Sequence, residues 1–197
     1  MLTDSLPNTL TICGREYIIN TDYGTWIRYE LLLTEESDKS DEDIFEEILR
    51  LIFPMERPSK QYDAETAEKI MWFYRCGKEK EPSSGDNYSG EDIFRYDYDD
   101  GYIAAAFKQQ YGVCLNKEEL HWWEFRAYML ALSEDTEFVK IMGIRAMKID
   151  PKLPASQKEH YRKMKRIYKL PMSDKIMEQK DRLEEALIKG KPIDGLL

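Results

Sequence analysis

The feature that most constrains the fold is the dense apolar and aromatic segment at residues 102–147, YIAAAFKQQYGVCLNKEELHWWEFRAYMLALSEDTEFVKIMGIRAM. Its apolar residues recur at helical spacing and predict three consecutive helices with short breaks. In the second helix apolar side chains occur almost all round, which is typical of a helix at the centre of a domain. The residues that we expect in the core are Phe107, Tyr111, Leu120, Trp122, Trp123, Phe125 and Leu130.

Local signals predict where these helices begin and end. Tyr111 is followed by Gly112, and glycine favours the left-handed conformation that ends many helices. Asn116 with Glu119 three positions later has the pattern of a capping box, so the second helix is predicted to begin there. The segment 112–132 is therefore expected to cross the core.

The N-terminal residues predict a β-hairpin followed by helices. Two β-prone runs, 10–13 and 17–19, flank a short connection at 14–16 that contains Gly14. A lone hairpin is marginally stable in water, so we expect it to pack on a helix or to pair with a neighbouring chain. The three predicted helices that follow begin at Asp22, Ser40 and Asp63 and end near Leu33, Ile52 and Arg75.

The C-terminal residues predict two more helices, and the whole pattern indicates a mainly α fold, a multi-helix bundle with a short N-terminal β-hairpin. Ser156 with Glu159 predicts the start of a basic helix, and a last helix is expected from Ser173 or Asp174 to Gly190. The predicted organisation is a hairpin-plus-helices half at 1–76, a mobile linker at 77–95 and a helical half at 96–197, the two halves forming one compact domain.

Charge is distributed unevenly along the chain. The net charge is −9, but residues 1–100 hold 24 acidic and 11 basic residues, whereas residues 101–197 hold 14 acidic and 18 basic ones. Most of the basic excess falls in 148–169. Such a split indicates that the halves attract each other, that the basic segment meets an acidic partner, or that it forms a solvated helix face. The candidate protein-binding residues are Trp26, Arg162, Lys163, Lys165, Arg166 and Lys169.

No pattern in the sequence indicates catalysis, so we expect a protein that is not an enzyme and has no cofactor or metal. Glycine-rich phosphate loops and the common hydrolase and zinc motifs are absent. His121 is expected to be structural, and the run 97–101 lacks the spacing of a calcium loop, so Asp99 or Asp100 is expected to cap a helix. The acidic chain makes nucleic acid an unexpected partner. Without an apolar span or a signal segment, the protein is expected in the cytoplasm, away from membranes.

Near its start the sequence contains Leu-Thr-Ile, the run 17–22 and Trp26, and it continues with distinctive motifs at 96–99, 105–107, 109–112 and 121–126. These motifs resemble the bacteriophage "gene product fifteen" family. The last of these, His-Trp-Trp-Glu-Phe-Arg, is the most specific because such aromatic density is improbable by chance. The resemblance extends over most of residues 6–150.

The resemblance implies a tail assembly chaperone in the host bacterial cytoplasm. Such a protein holds the long, helical tape-measure protein soluble until tail-tube subunits polymerise around it. The expected partners are therefore the tape-measure protein, the tail-tube protein and a second copy of this chain, with contacts at the free hairpin edge, beside Trp26 and along the basic segment. Two alternatives stay open: a structural protein of the virion, such as a head–tail connector, and a protein that interacts with a host factor.

Overall fold

The computed structural model describes residues 5–34, 39–78 and 93–171. Its N-terminal hairpin consists of β1 (Thr9–Ile12) and β2 (Arg15–Ile18), which pair antiparallel. The connection between them is shorter than predicted. It consists of Cys13 at φ 48° and Gly14 at φ 74°, so both turn residues are in the left-handed region, as a two-residue turn of this hand requires.

Three helices follow the hairpin: α1 (Tyr23–Thr34), α2 (Asp41–Ile52) and α3 (Asp63–Tyr74), the last preceded by one turn of 3₁₀ helix. The predicted starts at Asp22 and Ser40 are confirmed. The Asp22 carboxylate accepts the Thr25 N–H at 2.9 Å, and the Ser40 hydroxyl accepts the Asp43 N–H at 3.2 Å. Each capping side chain lies three residues from the N–H group that it accepts, which explains why sequence alone located it.

The C-terminal part contains α4 (Tyr96–Tyr111), α5 (Trp122–Leu130), α6 (Glu137–Ala146) and α7 (Ala155–Ile167). These helices and the hairpin confirm the predicted mainly α fold. The end of α4 is also confirmed: Gly112 has φ 74° and donates its N–H to the Lys108 carbonyl at 3.1 Å. Most of the predicted linker and the predicted last helix lie outside the described residues.

The predicted start of α5 at Asn116 is wrong. The Trp122 N–H donates to the Thr21 carbonyl at 2.7 Å, and the Tyr23 N–H donates to the Leu120 carbonyl at 3.0 Å. Because these backbone groups bridge to the segment after β2, the helix begins only at Trp122. His121 caps it instead, since its Nδ1 accepts the Trp123 N–H at 3.0 Å.

The predicted capping role of Ser156 is wrong as well. Helix α7 begins at Ala155, with Pro154 as the residue before it, and the Lys158 N–H donates to the Pro154 carbonyl at 3.0 Å. Ser156 therefore lies inside the first turn. Proline is well suited to a helix start because its own N–H is missing and its φ is fixed.

One apolar core joins residues from the N-terminal and C-terminal parts. The Trp26 ring stacks on Phe73 with centroids 4.6 Å apart, and on Trp122 at 6.4 Å. Phe107, Trp122, Trp123 and Phe125 are buried in this core, while Tyr111 and Leu120 are half-buried against it.

The expectation that Leu130 belongs to the core is wrong, because its side chain is 73% exposed. The buried stripe of α5 is formed by Trp122, Phe125 and Met129, at spacings of three and four. Leu130 is the last residue of α5 and lies off this stripe. Since apolar residues surround almost the whole helix, the sequence alone did not distinguish the buried stripe from the exposed one.

Candidate protein-binding groove

An open depression of about 820 Å³ runs beside α7, and we name it the basic groove. Four of its lining residues are cationic: Lys158, Arg162, Lys165 and Arg166. They follow one another at spacings of four, three and one, which places them along one side of the helix. Ile149 and Ala155 form the apolar part of the lining, and Glu159 contributes a single carboxylate.

The lysine side chains of the groove are held by backbone carbonyls. Lys158 Nζ donates to the Pro151 carbonyl at 3.1 Å, and Lys165 Nζ donates to the Met147 carbonyl at 2.9 Å. Both carbonyls belong to the segment that connects α6 and α7. The two lysines therefore fix the helix against this connection and contribute their charge to the groove.

The cations of α7 form no ion pair within the described parts of the chain. Ion pairs there involve other elements, and none joins a cation of α7 to a carboxylate at 4.0 Å or less. No residue of α7 is fully buried. Arg162 and Arg166 are exposed, whereas Lys158 and Lys165 are half-buried, so the two arginines are the groove cations most accessible to a partner.

A buried arginine sets the position of α7. Arg145 Nε donates to the carbonyl of Tyr168, the residue after α7, at 2.6 Å. Its guanidinium also donates to both carboxylate oxygens of Asp99 at 2.6 and 2.9 Å and to the Ile93 carbonyl at 3.0 Å. Asp99 is 0% exposed and Arg145 is 7% exposed. This single side chain thus links α6, α4 and the end of α7.

Sequence reasoning missed this ion pair, although a signal for it was present. Arg145 follows Phe138 by seven residues and Ile141 by four, so it lies on the apolar stripe of α6. Asp99 precedes Ile103 by four residues on the apolar stripe of α4. A charge on a buried stripe requires an opposite charge beside it. Asp99 also accepts the Arg95 N–H at 3.0 Å. The expectation that Asp99 or Asp100 caps a helix start is wrong, because α4 begins at Tyr96 and both residues lie inside it.

The structure divides the predicted binding residues into three groups. Arg162, Lys165 and Arg166 come together in the basic groove, whereas Lys163 and Lys169 are exposed but do not line it. The prediction for Trp26 is wrong: its side chain is 0% exposed, and its indole N–H donates to the Asn20 carbonyl at 2.8 Å. Trp26 is a core residue and reaches no partner.

A second depression, of about 700 Å³, lies where the segment after β2 meets α5. Its acidic lining residues include Asp22 and Glu124. Asp22 caps α1, and Glu124 accepts the His121 N–H at 3.3 Å. These carboxylates serve the helix starts beside the depression, so we do not interpret it as a binding site.

His121 has a structural role, as expected. Its Nδ1 accepts the Trp123 N–H, and its Nε2 lies 3.0 Å from the Pro7 carbonyl. A ring that accepts at Nδ1 and faces a carbonyl at Nε2 is a neutral imidazole with its proton on Nε2. Both ring nitrogens are therefore engaged.

A half-buried polar cluster lies beside the core, where residues of α1, α3 and α5 meet. The Tyr74 hydroxyl donates to the Glu30 carboxylate, and Arg126 lies over the Trp122 ring at 5.5 Å from its centroid. Burial raises the pKa of the Cys76 thiol and raises the pKa of Tyr96 to about 12. The cluster contains one carboxylate and one guanidinium, so its formal charges balance.

Two further findings concern the described residues alone. Among them, no group of three or more His, Cys, Asp or Glu side chains is arranged to hold a metal ion. Every helix in these parts of the chain is too short or too polar to span a lipid bilayer.

Fold and groove together define a class: a mainly α-helical protein that carries a basic groove on α7. The model of the family described as Bacteriophage Gp15 protein matches residues 2–170, and the chain therefore belongs to this family. Comparison with curated proteins found no match, and neither did comparison with solved structures.

Proposed function

We propose that this phage protein is a tail assembly chaperone, which binds an amphipathic helix of the tape-measure protein in the host cytoplasm and catalyses no reaction. Membership of the phage family supports a role in the phage life cycle. The observation that carries the proposal is the basic groove, whose cations form no ion pair in the described parts of the chain. The groove is the surface on which we place the partner helix.

The shape and chemistry of the groove suit reversible binding. Lys158 and Arg166 are eight residues apart, so the groove follows about 12 Å of helix, or roughly two turns. Exposed ion pairs contribute about 0–1 kcal/mol each, so a contact made mainly by such pairs is of moderate strength. A chaperone that must release its client when tube subunits arrive needs this kind of moderate affinity.

An apolar side chain lies close to the cations along the chain. Ile167, next to Arg166 at the end of α7, is 58% exposed. A helix with one acidic and one apolar side could contact both residues, as amphipathic helices do in the grooves of other binding proteins. This arrangement supports a peptide segment as the partner.

Co-expression with the tape-measure protein tests the proposal. We expect the tape-measure protein to stay soluble and to elute with this chain on size-exclusion chromatography. An unrelated acidic protein of similar size is the control and should leave the tape-measure protein insoluble. Failure to form a complex would contradict the chaperone function. Recovery of this chain from purified virions would instead favour a connector or another structural role.

A further inference from the structure

We infer that the basic groove selects its client by charge and takes a helix with acidic residues at spacings of three and four along one side, together with one basic residue opposite Glu159. This inference rests on the proposed function and adds the chemistry of the partner. Lys158, Arg162 and Arg166 are separated by four residues each, so carboxylates one turn apart on a partner helix can face them in turn.

The local sequence of α7 supports an external partner. Lys158 with Arg162, and Arg162 with Arg166, are like-charged pairs four residues apart, and such pairs destabilise a helix. Glu159 could offset them through Arg162 or Lys163, yet it forms no ion pair with either. Only the last-turn cations gain from the helix dipole. The repulsion is therefore relieved when an acidic partner binds.

The lining distinguishes a peptide from nucleic acid. Glu159 places a carboxylate among the cations, where it repels a continuous row of phosphates but pairs with a lysine or arginine of a peptide. Ile149 and Ala155 add apolar surface that a peptide side chain can cover. The net charge of −9 also opposes binding to a polyanion.

A second copy of this chain is a less suitable occupant. Its most acidic helix is α2, but Glu42 lies 3.1 Å from Lys60, and Glu46 lies 3.8 Å from both Lys60 and Arg57. The carboxylates of α2 are thus already partly neutralised within their own chain. A helix of another protein whose carboxylates are unpaired should therefore bind the groove more tightly than α2 of a second copy.

Two double variants test the inference. Arg162→Glu with Arg166→Glu reverses two charges inside the groove, and Lys163→Glu with Lys169→Glu makes the same change in net charge on exposed residues outside it. Because all four side chains are exposed, both variants should fold, which circular dichroism and the melting temperature verify. The probes are the tape-measure protein and a labelled synthetic helix with glutamates at positions i, i+4 and i+7.

We expect the groove variant to weaken binding of both probes by roughly tenfold or more and the control variant by less than about threefold, as measured by fluorescence anisotropy. Binding to the unmodified chain should fall as salt rises. Equal weakening by both variants would show that only net charge matters and would overturn the inference, as would displacement of the peptide by duplex DNA. The inference would also be overturned if the chain self-associates and the groove variant abolishes this self-association, because a second copy of the chain would then be the occupant of the groove.

The outcomes separate this inference from the proposed function. If the tape-measure protein binds the unmodified chain and the groove variant equally well, the chaperone function stands and the groove is not its site. If the tape-measure protein does not bind the unmodified chain at all, the proposed function fails, and the charge-selective client role fails with it.

Discussion

The buried ion pair between Asp99 and Arg145 gives the sharpest test of the fold. Replacing Arg145 by Met removes two charged hydrogen bonds to Asp99 and the contacts with the Tyr168 and Ile93 carbonyls. Asp99 would then be a carboxylate at 0% exposure without its cation. Breaking a buried pair in this way typically costs about 3–5 kcal/mol, a large share of the 5–15 kcal/mol by which a domain is stable.

A double-mutant cycle separates the pair from its surroundings. Asp99→Leu should also be strongly destabilising because it leaves Arg145 without a carboxylate. The double variant should lose less stability than the sum of the losses in the two single variants, since no isolated charge is then left in the core. The control is Glu42→Gln, which breaks an exposed pair with Lys60 whose side chains are 78% and 71% exposed, and it should leave the free energy of unfolding almost unchanged.

Urea unfolding followed by tryptophan fluorescence measures the free energy of unfolding of the unmodified chain, the two single variants, the double variant and the control. The slope against urea should stay unchanged in the single variants, so that midpoint shifts report stability alone. A loss below about 1 kcal/mol for Arg145→Met would refute the reasoning, because a desolvated carboxylate without its partner cannot be that well tolerated. Strict additivity in the cycle would also refute it, since it would mean that the two side chains do not interact.

Three further predictions concern single residues. Trp122→Ala and Trp123→Ala should each lower the free energy of unfolding by about 3–5 kcal/mol. Both rings are buried, and their indole N–H groups donate to backbone carbonyls at 2.9 and 2.8 Å. Unchanged melting temperatures would instead place the two tryptophans on the surface. Gly112→Ala should lower the free energy of unfolding by about 1 kcal/mol because Gly112 has a φ of 74°, whereas Gly143→Ala in α6 should raise it by a similar amount. Both sites have room for a methyl group, so equal effects of the two variants in calorimetry would contradict this argument. The pKa of Tyr96 is about 12 when folded, against 10.0 normally, so between pH 10 and 12 only its unfolded phenol loses a proton, and this residue alone should cost the chain roughly 2–3 kcal/mol of stability. The pKa values of Tyr23, Tyr29 and Tyr74 are raised as well, so Tyr96→Phe should reduce the pH dependence measured in urea titrations without abolishing it, and an unaltered dependence would exclude Tyr96 as a source.

The elements that sequence predicted well are those whose boundaries are set locally. Asp22, Ser40 and Gly112 each contact a backbone group within four residues, so a short window contains the whole signal. The start of α5 depended on a backbone bridge between Trp122 and Thr21, about a hundred positions apart in the chain. No local pattern reports such a contact, and for this reason Asn116 looked like the better cap.

The sequence predicted that the segment of the basic groove is positively charged, but it did not predict which cations line the groove. The basic run was evident, but whether Arg162 or Lys163 lines a groove depends on how α7 is rotated against the segment before it. That rotation is set by Lys158, Lys165 and the buried Arg145 through contacts with backbone carbonyls. Trp26 failed as a binding residue for a related reason, because an aromatic side chain at helical spacing suits a core and an interface equally well.

The way in which α7 is held makes binding and stability separable. The helix buries no side chain completely, so its exposed cations can change with little effect on the core. Its end is attached through the Tyr168 carbonyl to Arg145, which is itself fixed by Asp99. Under the proposed function, changes at Arg162 or Arg166 should therefore alter the affinity for the client alone, whereas Arg145→Met should lower both stability and affinity.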